Sequence, residues 1–321
     1  MKIQIAFFPF HHHNPVVKKD TENQIRSLIS SGSAPASAGL KSDLSAIGLS
    51  FEEQDGSLSL TDNIELLDRH KILERSLHEV SLDIQWSIGS TNDYLMKSDT
   101  RHESIAVCMA EQQVAGKGRR GKVWVSPFGK NIYMSLGKHF TRSASGLMGL
   151  SLVIGSCVVQ TLRELGVSSV GLKWPNDILL EGGKLAGILV ELGSARKGSV
   201  YVVMGVGINL DLDEDNARQI EQPWSVVGRH AEVTRNDLAA RLIDSLVPAL
   251  TIFEKEGFES FREEWNSNNV YKDREVVILQ GENRIRGVDA GVDSDGNYLL
   301  DTGKGIRTFN AGEVSLRLGD S

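Results

Sequence analysis

The sequence predicts a protein of mixed α and β structure, in the α+β/α/β class, with a central domain built on a mixed sheet. In the middle of the chain, two long stretches of helical periodicity, Leu147 to Leu165 and Asp237 to Glu256, alternate with short runs of β-forming residues. Residues 270 to 321 contain short strand-like runs joined by Asp- and Gly-containing turns, which predicts a small β-barrel. We expect domains at residues 1–65, 66–268 and 269–321.

The first domain is predicted to be winged-helix-like. Glu22 to Leu28 and Leu40 to Ile47 each have the length of a short helix, and a Ser/Ala/Gly-rich segment separates them. Two strand-like runs then flank Asp55-Gly56, a typical hairpin turn. Helices followed by a hairpin are the order expected of a winged helix-turn-helix.

This first domain nevertheless lacks the Lys and Arg residues that a DNA-binding domain needs. Its candidate recognition segment, Ser33 to Ser45, contains Lys41 as its single Lys or Arg, and the predicted wing carries Glu52, Glu53 and Asp55. A recognition helix needs Arg, Lys, Asn or Gln on base edges and further cations on phosphates. The chain as a whole has a net charge of −7, which also argues against general affinity for nucleic acid. We predict a degenerate domain that does not bind DNA.

A connecting helix and a set of strands and helices are predicted after this domain. Apolar residues recur at helical spacing from Asn63 to Leu73, so we expect an amphipathic helix there, with the central domain beginning at or just after it. The two long helices should end at Gly166 and Gly257, since glycine commonly follows the last turn of a helix. Strands are expected at residues 105–109, 132–136 and 200–204.

Nothing in the sequence indicates export or a membrane span. No stretch approaches the roughly 20 apolar residues of a transmembrane helix, and the start lacks a basic region followed by a long apolar core. Cys108 and Cys157 lie in apolar surroundings and are expected to be buried and reduced. The neighbouring His11, His12 and His13 lack spaced partner ligands, so they do not predict a metal site. We expect a cytoplasmic protein that does not associate with membranes.

The segment from Gly116 to Lys122 says most about function. Its glycines let backbone N–H groups approach an anion closely, and its Lys and Arg side chains supply charge and donors for phosphate or carboxylate. A solvated surface loop would have a similar composition. A Walker A loop is not favoured, because Val123 stands where the Mg²⁺-binding hydroxyl should be and Pro127 resists the helix that should follow. The segment therefore predicts an anionic, phosphorylated ligand.

Six motifs, in this order, resemble those of the biotin protein ligases. Each motif alone is a weak signal, but together they are highly specific and the match covers most of the chain from about residue 65. The motifs are Ser90-Thr91-Asn92, Gly116 to Gly121, Ser126 to Tyr133, Lys173 to Asp177, Lys184 to Glu191 and Gly205 to Asn209.

The resemblance implies both a fold and a reaction. The central domain would be related to the catalytic cores of class II aminoacyl-tRNA synthetases, and the C-terminal domain would be SH3-like. Joining a carboxylic acid to an amine is uphill in water, so the enzyme would first convert biotin and ATP, with Mg²⁺, into biotinyl-5'-AMP and pyrophosphate. It would then transfer biotin to a lysine of a biotin carboxyl carrier protein, the acetyl-CoA carboxylase subunit. Homodimers are common in the family.

The resemblance also assigns roles to particular residues. Biotin is expected to contact Ser90, Thr91, Asn92, Gln113, Lys117, Gly118, Arg119 and Lys184. ATP is expected to contact Gly116, Arg119, Arg120, Lys122, Trp124, Asn176, Asp177 and Asn209. The expected catalytic residues are Lys184, Arg119 and Asp177, with Asp177 also near Mg²⁺ and the incoming lysine. The glycines of residues 116–121 are expected to let this loop fold over the ligands and to leave it poorly ordered without them.

Purely structural interpretations of some of these residues stay open. Ser90, Thr91 and Asn92 would equally serve to cap a helix beginning near Asp93, and Trp174 would equally belong to the core.

At two positions the chain differs from the family motifs, and two other functions are alternatives to the one that the resemblance implies. Lys117 and Lys122 stand where many relatives have Arg, and lysine keeps the charge but loses the bidentate fork. A lipoate protein ligase would use the same adenylate chemistry on a different acid. A biotin-responsive transcriptional repressor, acting mainly through DNA, is the alternative from another class.

Overall fold

The computed structural model describes residues 19–98, 105–196, 198–212, 214–312 and 314–319. His11, His12 and His13 lie outside the described residues. The described chain begins with a small helical and β domain whose sheet has the strand order β1-β3-β2. Its elements are α1 (Lys19–Ser31), β1 (Ala34–Pro35), α2 (Ala38–Ala46), β2 (Phe51–Gln54) and β3 (Ser57–Leu60).

Local signals in the sequence explain this first domain. Ser37 caps α2 by accepting a hydrogen bond from the backbone N–H of Leu40 at 3.1 Å. Asp55 and Gly56 both adopt positive φ, 51° and 76°, which is the backbone of a tight hairpin turn between β2 and β3. The two predicted helices and the predicted hairpin are confirmed. Within the described residues, α1 and α2 are joined by a short segment that contains no further helix.

The predicted connecting helix is wrong over its first half. The helix, α3, spans Arg69–Arg75, and the residues from Asn63 to Asp68 are not helical. Asp68 begins the helix by accepting hydrogen bonds from two backbone N–H groups of the first turn. Before it, the backbone N–H of Leu67 donates to Glu111 Oε1 at 2.7 Å, and Arg235 donates to the carbonyl of Glu65 at 2.7 Å. These distant partners hold the segment extended against the central domain.

The central domain is built on a seven-stranded mixed sheet with the order β4-β5-β6-β10-β9-β8-β7. β4 and β5 are parallel, and the other neighbouring pairs are antiparallel. The predicted strands are confirmed within β5, β6 and β10. The strands are β4 (Ser81–Ile88), β5 (Ala106–Gln113), β6 (Ile132–Phe140), β7 (Val170–Lys173), β8 (Asp177–Leu180), β9 (Gly183–Arg196) and β10 (Ser199–Ile208).

Five further helices accompany this sheet. Of the two long helices that the sequence predicts, the first begins later than predicted and is preceded by Gly149, which has a φ of 81°, and the second begins two residues earlier because Thr234 caps it. Both end at the predicted glycines. The helices are α4 (Thr91–Lys97), α5 (Leu150–Glu164), α6 (Glu214–Ala217), α7 (Arg235–Glu256) and α8 (Glu259–Ser267).

One described stretch departs from the expectation that no segment could span a membrane. Ser145–Glu164, which includes α5, is long and apolar enough to do so by length and composition alone. Within the structure, however, 67% of its most apolar window is buried, and α5 packs against α7 and the sheet. Burial against protein accounts for its apolar character.

The C-terminal domain is a five-stranded antiparallel sheet with the order β14-β13-β12-β11-β15. It shares one hydrophobic core with the central domain, because Val276, Tyr298 and Leu316 belong to the same buried cluster as α5 and the central strands. Trp174 lies at this junction, buried, and its indole N–H donates to the carbonyl of Gly296 at 3.1 Å. The strands are β11 (Glu275–Gln280), β12 (Asn283–Val292), β13 (Tyr298–Asp301), β14 (Ile306–Phe309) and β15 (Val314–Leu318).

Both cysteines are buried and free, as predicted. Burial raises the pKa of the Cys108 thiol well above its usual range and that of Cys157 to about 12. Neither thiol ionises readily at neutral pH, which agrees with a packing role.

Candidate active site

The glycine-arginine loop, residues 116–122, lies between the central sheet and the C-terminal domain. It closes on itself through a hydrogen bond from the N–H of Gly118 to the carbonyl of Lys122, at 2.7 Å. Arg119 donates to the carbonyl of Ala311 and Arg120 to the carbonyl of Gly312. The loop therefore has a defined conformation, supported by the C-terminal domain. Its predicted disorder without ligand stays a prediction, for which protease sensitivity with and without biotin and ATP is the test.

All eight residues expected to hold biotin line one cleft in the central domain. The cleft, called here the first cleft, has an empty volume of about 490 Å³ when its open mouth is included. Its floor is formed by glycine-containing stretches of β9 and β10. It is lined by Ser90, Thr91, Asn92, Gln113, Lys117, Gly118, Arg119 and Lys184, together with Trp124, Tyr133, Asn176 and residues of β9 and β10.

Polar side chains at one end of the first cleft are held in fixed orientations. Gln113 Oε1 accepts from the N–H of Thr91 at 2.9 Å and from its hydroxyl at 3.2 Å, and Gln113 Nε2 donates to Ser126 at 3.0 Å. Ser90 occupies the N-cap position of α4, but its hydroxyl makes no capping hydrogen bond. Helix capping therefore does not account for Ser90, whose hydroxyl stays available in the cleft.

Asn92 has a different environment from its two neighbours. Its Nδ2 donates to Glu191 at 2.7 Å and to the carbonyl of Leu189 at 3.3 Å, while its Oδ1 accepts from the fully buried Ser135 at 2.6 Å. A Cβ atom at Gly205 would collide with the Asn92 amide, so glycine is required beneath it. The amide protons of Asn92 are both used within the protein.

A second cleft, which adjoins the first and shares lining residues with it, collects positive charge. Lys184 Nζ lies 2.6 Å from Asp177 Oδ1, and Lys173 Nζ lies 4.0 Å from the other carboxylate oxygen. Burial lowers the pKa of the Lys173 ammonium, and the nearby cations lower it further. The cleft is lined by Gly118, Arg119, Arg120, Lys122, Trp124, Lys173, Asn176, Asp177, Lys184, Arg317 and their neighbours. Among the residues that line it, Asp177 is the only carboxylate, so an anionic ligand is favoured here.

Arg119 connects the two clefts. Its Nη1 donates to Asn176 Oδ1 at 2.9 Å, and it lines both clefts. Burial lowers the pKa of its guanidinium, and Arg120 lowers it further. Arg119 is therefore an arginine shared by the two clefts.

Trp124 lies flat against two glycines of the sheet. A Cβ at Gly207 would come within 2.5 Å of the indole ring and one at Gly187 within 3.1 Å. Lys184 Nζ is 5.5 Å from the ring centroid. The buried indole N–H of Trp124 has no hydrogen-bond partner in the described structure. Trp124 thus lies where the two clefts adjoin, and its indole N–H is a donor without a partner in the described structure.

Replacing Gly207 by alanine is expected to displace Trp124 and to raise the KM for ATP about tenfold, because the added methyl group cannot fit beneath the ring. Steady-state kinetics with varied ATP measures this. Gly39→Ala is the matched control, since the space around Gly39 in α2 is open. An unchanged KM for ATP in Gly207→Ala would show that the ring position is unimportant.

Three predicted site residues have contacts that differ from the expected ones. Lys117 lines the first cleft, but its ammonium pairs with Asp93 at 2.5 Å, so its side chain is engaged outside the cleft. Gly116 lines neither cleft and packs tightly under the Trp124 carbonyl. Asn209 lines an adjoining cleft with Lys122 and Trp124, and its amide donates to the carbonyls of Lys184 and Ser225. These contacts favour supporting roles for Gly116 and Asn209.

The described residues contain no group of three or more His, Cys, Asp or Glu side chains that could hold a metal ion. Asp177, the expected Mg²⁺ neighbour, has lysine ammonium groups beside both of its oxygens. Asp177 is therefore a single carboxylate already paired with lysines.

Four residues of the site were missed in the sequence. Ser135 and Glu191 complete the environment of Asn92, and Lys173 and Arg317 add charge to the second cleft. Glu191 and Lys173 lie inside motifs that the sequence analysis recognised, but it assigned them no role. Ser135 and Arg317 carry no sequence signal, because strand pairing brings Ser135 to the site and packing of the C-terminal domain brings Arg317 there.

Sequence comparisons identify the family. Residues 86–209 match the biotin/lipoate A/B protein ligase family, and residues 273–317 match the biotin protein ligase C-terminal domain. The bifunctional ligase/repressor BirA of Salmonella typhimurium is 39% identical over 261 residues, which is 81% of this chain and 81% of that protein. The chain belongs to the biotin protein ligase family.

Other biotin protein ligases agree with this assignment. The biotin–[acetyl-CoA-carboxylase] ligase of Mycobacterium tuberculosis is 30% identical over 244 residues, covering 73% of this chain and 88% of that protein. The solved structure of the biotin protein ligase from Aquifex aeolicus in complex with biotin and ATP superimposes with a TM-score of 0.63 at 27% identity, over 74% of this chain and 99% of that chain. The central and C-terminal domains therefore have the biotin protein ligase fold.

Proposed function

We propose that the protein converts biotin and ATP into biotinyl-5'-AMP and pyrophosphate in its paired clefts, and then transfers the biotinyl group to a lysine of a biotin carboxyl carrier protein. The observation that carries this assignment is that the two clefts adjoin, with Gly118, Arg119, Trp124, Asn176 and Lys184 lining both. A neutral ring system fits the polar end of the first cleft, and a triphosphate fits the cationic second cleft. Their meeting point is where an acid and an α-phosphate would react.

In the first half-reaction, a carboxylate oxygen of biotin attacks the α-phosphorus of ATP. A new carboxyl O–P bond forms, the α–β phosphoanhydride bond breaks, and its electrons leave with pyrophosphate. We assign to Lys184 and Arg119 the neutralisation of charge on the attacking carboxylate and the α-phosphate. Backbone groups around Lys117 and Gly118 would approach the same oxygens, which requires the Gly118 N–H to release the Lys122 carbonyl. Arg120, Lys122 and Lys173 would hold the departing pyrophosphate.

In the second half-reaction, the acceptor lysine attacks the carbonyl carbon of the adenylate, and AMP leaves. The amine must lose a proton to become a nucleophile, and we assign the acceptance of that proton to Asp177. The support for this assignment is position alone, because the carboxylate lies 2.6 Å from Lys184 and therefore beside the groups assigned to the first half-reaction. AMP departs with the former α-phosphate, and the amide bond remains on the carrier.

Mg²⁺ is proposed to enter with ATP. When bound, it would shield the charge of the β- and γ-phosphates. We expect chelation by EDTA to abolish ATP-dependent pyrophosphate release, while calorimetric titration of the protein alone with Mg²⁺ gives no binding above background. Tight binding of Mg²⁺ without nucleotide would contradict this arrangement.

Two further domain assignments follow from the resemblance. We propose that the C-terminal domain is SH3-like and that residues 1–65 form a degenerate winged helix-turn-helix, with the central domain at 66–268 and the C-terminal domain at 269–321. The five antiparallel strands and the helix-then-hairpin order support these assignments.

We also expect a cytoplasmic protein. Its protomers are expected to pair through the central sheet, where Leu192 is exposed.

The first domain is proposed not to bind DNA. Lys41, the one cation of its candidate recognition helix, is paired with Glu53 of the hairpin. We therefore expect a fluorescence titration with duplex DNA at physiological salt to give only weak, sequence-independent affinity, with Kd no tighter than about 10⁻⁶ M. Replacing both Glu52 and Glu53 by lysine should tighten it. Nanomolar affinity of the unaltered protein would instead support the repressor hypothesis.

The transfer reaction has a direct test. The full chain is incubated with ATP, Mg²⁺, biotin and a biotin carboxyl carrier domain, and mass spectrometry of the carrier is compared with that of a variant whose acceptor lysine is replaced by arginine. We expect one added biotinyl group on the unaltered carrier and none on the variant. Modification with lipoate in place of biotin would move the assignment to a lipoate protein ligase.

A further inference from the structure

One ion pair ties the glycine-arginine loop to helix α4. Lys117 Nζ lies 2.5 Å from Asp93 Oδ1, and the two side chains are 43% and 36% exposed. Lys117 and Gly118 line the first cleft from the loop, and residues 90–92 line it from the start of α4. The pair therefore joins two walls of the cleft that lie far apart in the sequence.

Side-chain contacts of the loop with the C-terminal domain involve different residues. Arg119 and Arg120 donate to carbonyl groups of the turn at residues 311–312. Both arginines are assigned to the ligands in the proposed reaction, so these donors are redirected when the ligands bind. Asp93, in contrast, lines neither cleft, and it holds the ammonium of Lys117 away from the ligands. The ion pair of Lys117 and Asp93 can therefore persist while the clefts are filled.

The two ends of the loop are held by backbone hydrogen bonds. The N–H of Ala115 donates to the carbonyl of Gly89, and the N–H of Trp124 donates to the carbonyl of Gly116, both at 2.9 Å. Between these points Gly121 adopts a φ of 72°, a conformation that glycine reaches without strain. Because the ends are fixed and the glycine-rich middle can rotate, side-chain contacts decide where the middle of the loop lies.

Lysine at position 117 suits a contact with a single carboxylate oxygen. Its ammonium is a compact charge on a flexible stem, whereas the planar fork of arginine, which many relatives have at this position, matches both oxygens of a ligand carboxylate or phosphate. Here the charge is used on Asp93 within the protein. The departure from the family motif at Lys117 therefore favours a role in holding the loop over a role in binding the acid.

We propose that Lys117 and Asp93 form a latch that holds the glycine-arginine loop against α4 and so controls how fast the acid enters and leaves the first cleft. The inference rests on the proposed function. Because neither end of the latch needs the ligand, the latch stabilises the closed loop equally in the free and in the occupied protein. Such an interaction lowers the rate constants of association and dissociation by the same factor and leaves the Kd unchanged.

The latch is weak, but it has a consequence for the reaction. A partly exposed ion pair changes an equilibrium only a few-fold, and dissolved salt screens it. The same factor applies to the adenylate, which stays longer in the cleft, away from water, until the acceptor lysine arrives. We therefore expect effects of about threefold on the rates of entry and release.

Stopped-flow measurement of tryptophan fluorescence with biotin tests the proposal, since Trp124 lines the first cleft. Asp93→Asn is expected to raise the association and dissociation rate constants of biotin about threefold each, with the Kd within about 1.5-fold of that of the unaltered chain. Asp93→Glu keeps the carboxylate and should leave both rate constants close to those of the unaltered chain. Raising NaCl from about 0.05 M to about 0.5 M should accelerate release from the unaltered chain about threefold and from Asp93→Asn much less, because salt screens the pair.

Glu53→Gln is the matched control, because it removes the ion pair of Lys41 and Glu53 in the first domain, whose side chains are 38% and 43% exposed. Its rate constants should equal those of the unaltered chain. An unchanged dissociation rate constant in Asp93→Asn would overturn the latch, and so would faster association alone, because Asp93 would then act only by repelling an anionic acid. Failure of the unaltered chain to bind biotin would instead remove the proposed function.

Discussion

Lys184→Ala is expected to lower the rate of biotin-dependent pyrophosphate release about 10³-fold, with a smaller effect on the binding of biotin. Lys184 lies in both clefts, and its ammonium is the cation nearest to Asp177. Charge that builds up as a carboxylate approaches a phosphate must be neutralised in the transition state, and removal of one such group typically costs 10² to 10³ in rate, about 3 to 4 kcal/mol. Single-turnover kinetics separates this loss from binding.

Lys138→Ala is the matched control for Lys184. Lys138 also lies on the central sheet, its side chain is 18% exposed like that of Lys184, and it pairs with Glu254 at 2.6 Å. The same deletion of a half-buried, ion-paired lysine should leave pyrophosphate release within about twofold. Comparable losses in the two variants would mean that Lys184 acts through the fold and not on the reacting groups.

Arg119→Ala is expected to lower kcat/KM for both biotin and ATP about 10²-fold. Arg119 is the guanidinium that lines both clefts, and it is held by Asn176 and by the carbonyl of Ala311 in the C-terminal domain. Its loss removes a charged donor from both ligands. Varying one substrate at a time, with the other saturating, measures the two effects separately.

The control for Arg119 is Arg163→Ala, which removes an arginine of α5 that bonds to the Val170 carbonyl away from the clefts. Its kinetic constants should stay close to those of the unaltered enzyme. The kcat/KM values of Arg119→Lys should fall between those of Arg119→Ala and those of Arg163→Ala, since lysine keeps the charge but loses the planar fork. A loss confined to one substrate in Arg119→Ala would contradict its position between the clefts.

Much of the fold could be predicted because its signals are local. The helices α1, α2, α5 and α7, the hairpin at Asp55-Gly56 and the strands β5, β6 and β10 of the central sheet follow from periodicity, caps and turn residues. The start of α3 could not be predicted. Side chains of Glu111 and Arg235, far away in sequence, hold the apolar segment before it in an extended form.

In the candidate site, too, some residues could be predicted from the sequence and others could not. Residues such as Lys184 and Gln113 were predictable because the sequence motifs resemble those of the biotin protein ligases. Ser135 and Glu191 were not, since their importance depends on strand pairing that brings β6 and β9 beside α4. Arg317 likewise reaches the second cleft only because the C-terminal sheet packs against the central domain.

Formation of the adenylate is the central claim, and pyrophosphate release by the unaltered full chain with ATP and Mg²⁺ tests it most directly. The measurement compares biotin, lipoate and no added acid at equal concentrations. The paired clefts predict release that depends on biotin and is near background with lipoate or without acid. Release supported by lipoate, or none with biotin, would contradict the assignment of the two clefts to biotin and ATP.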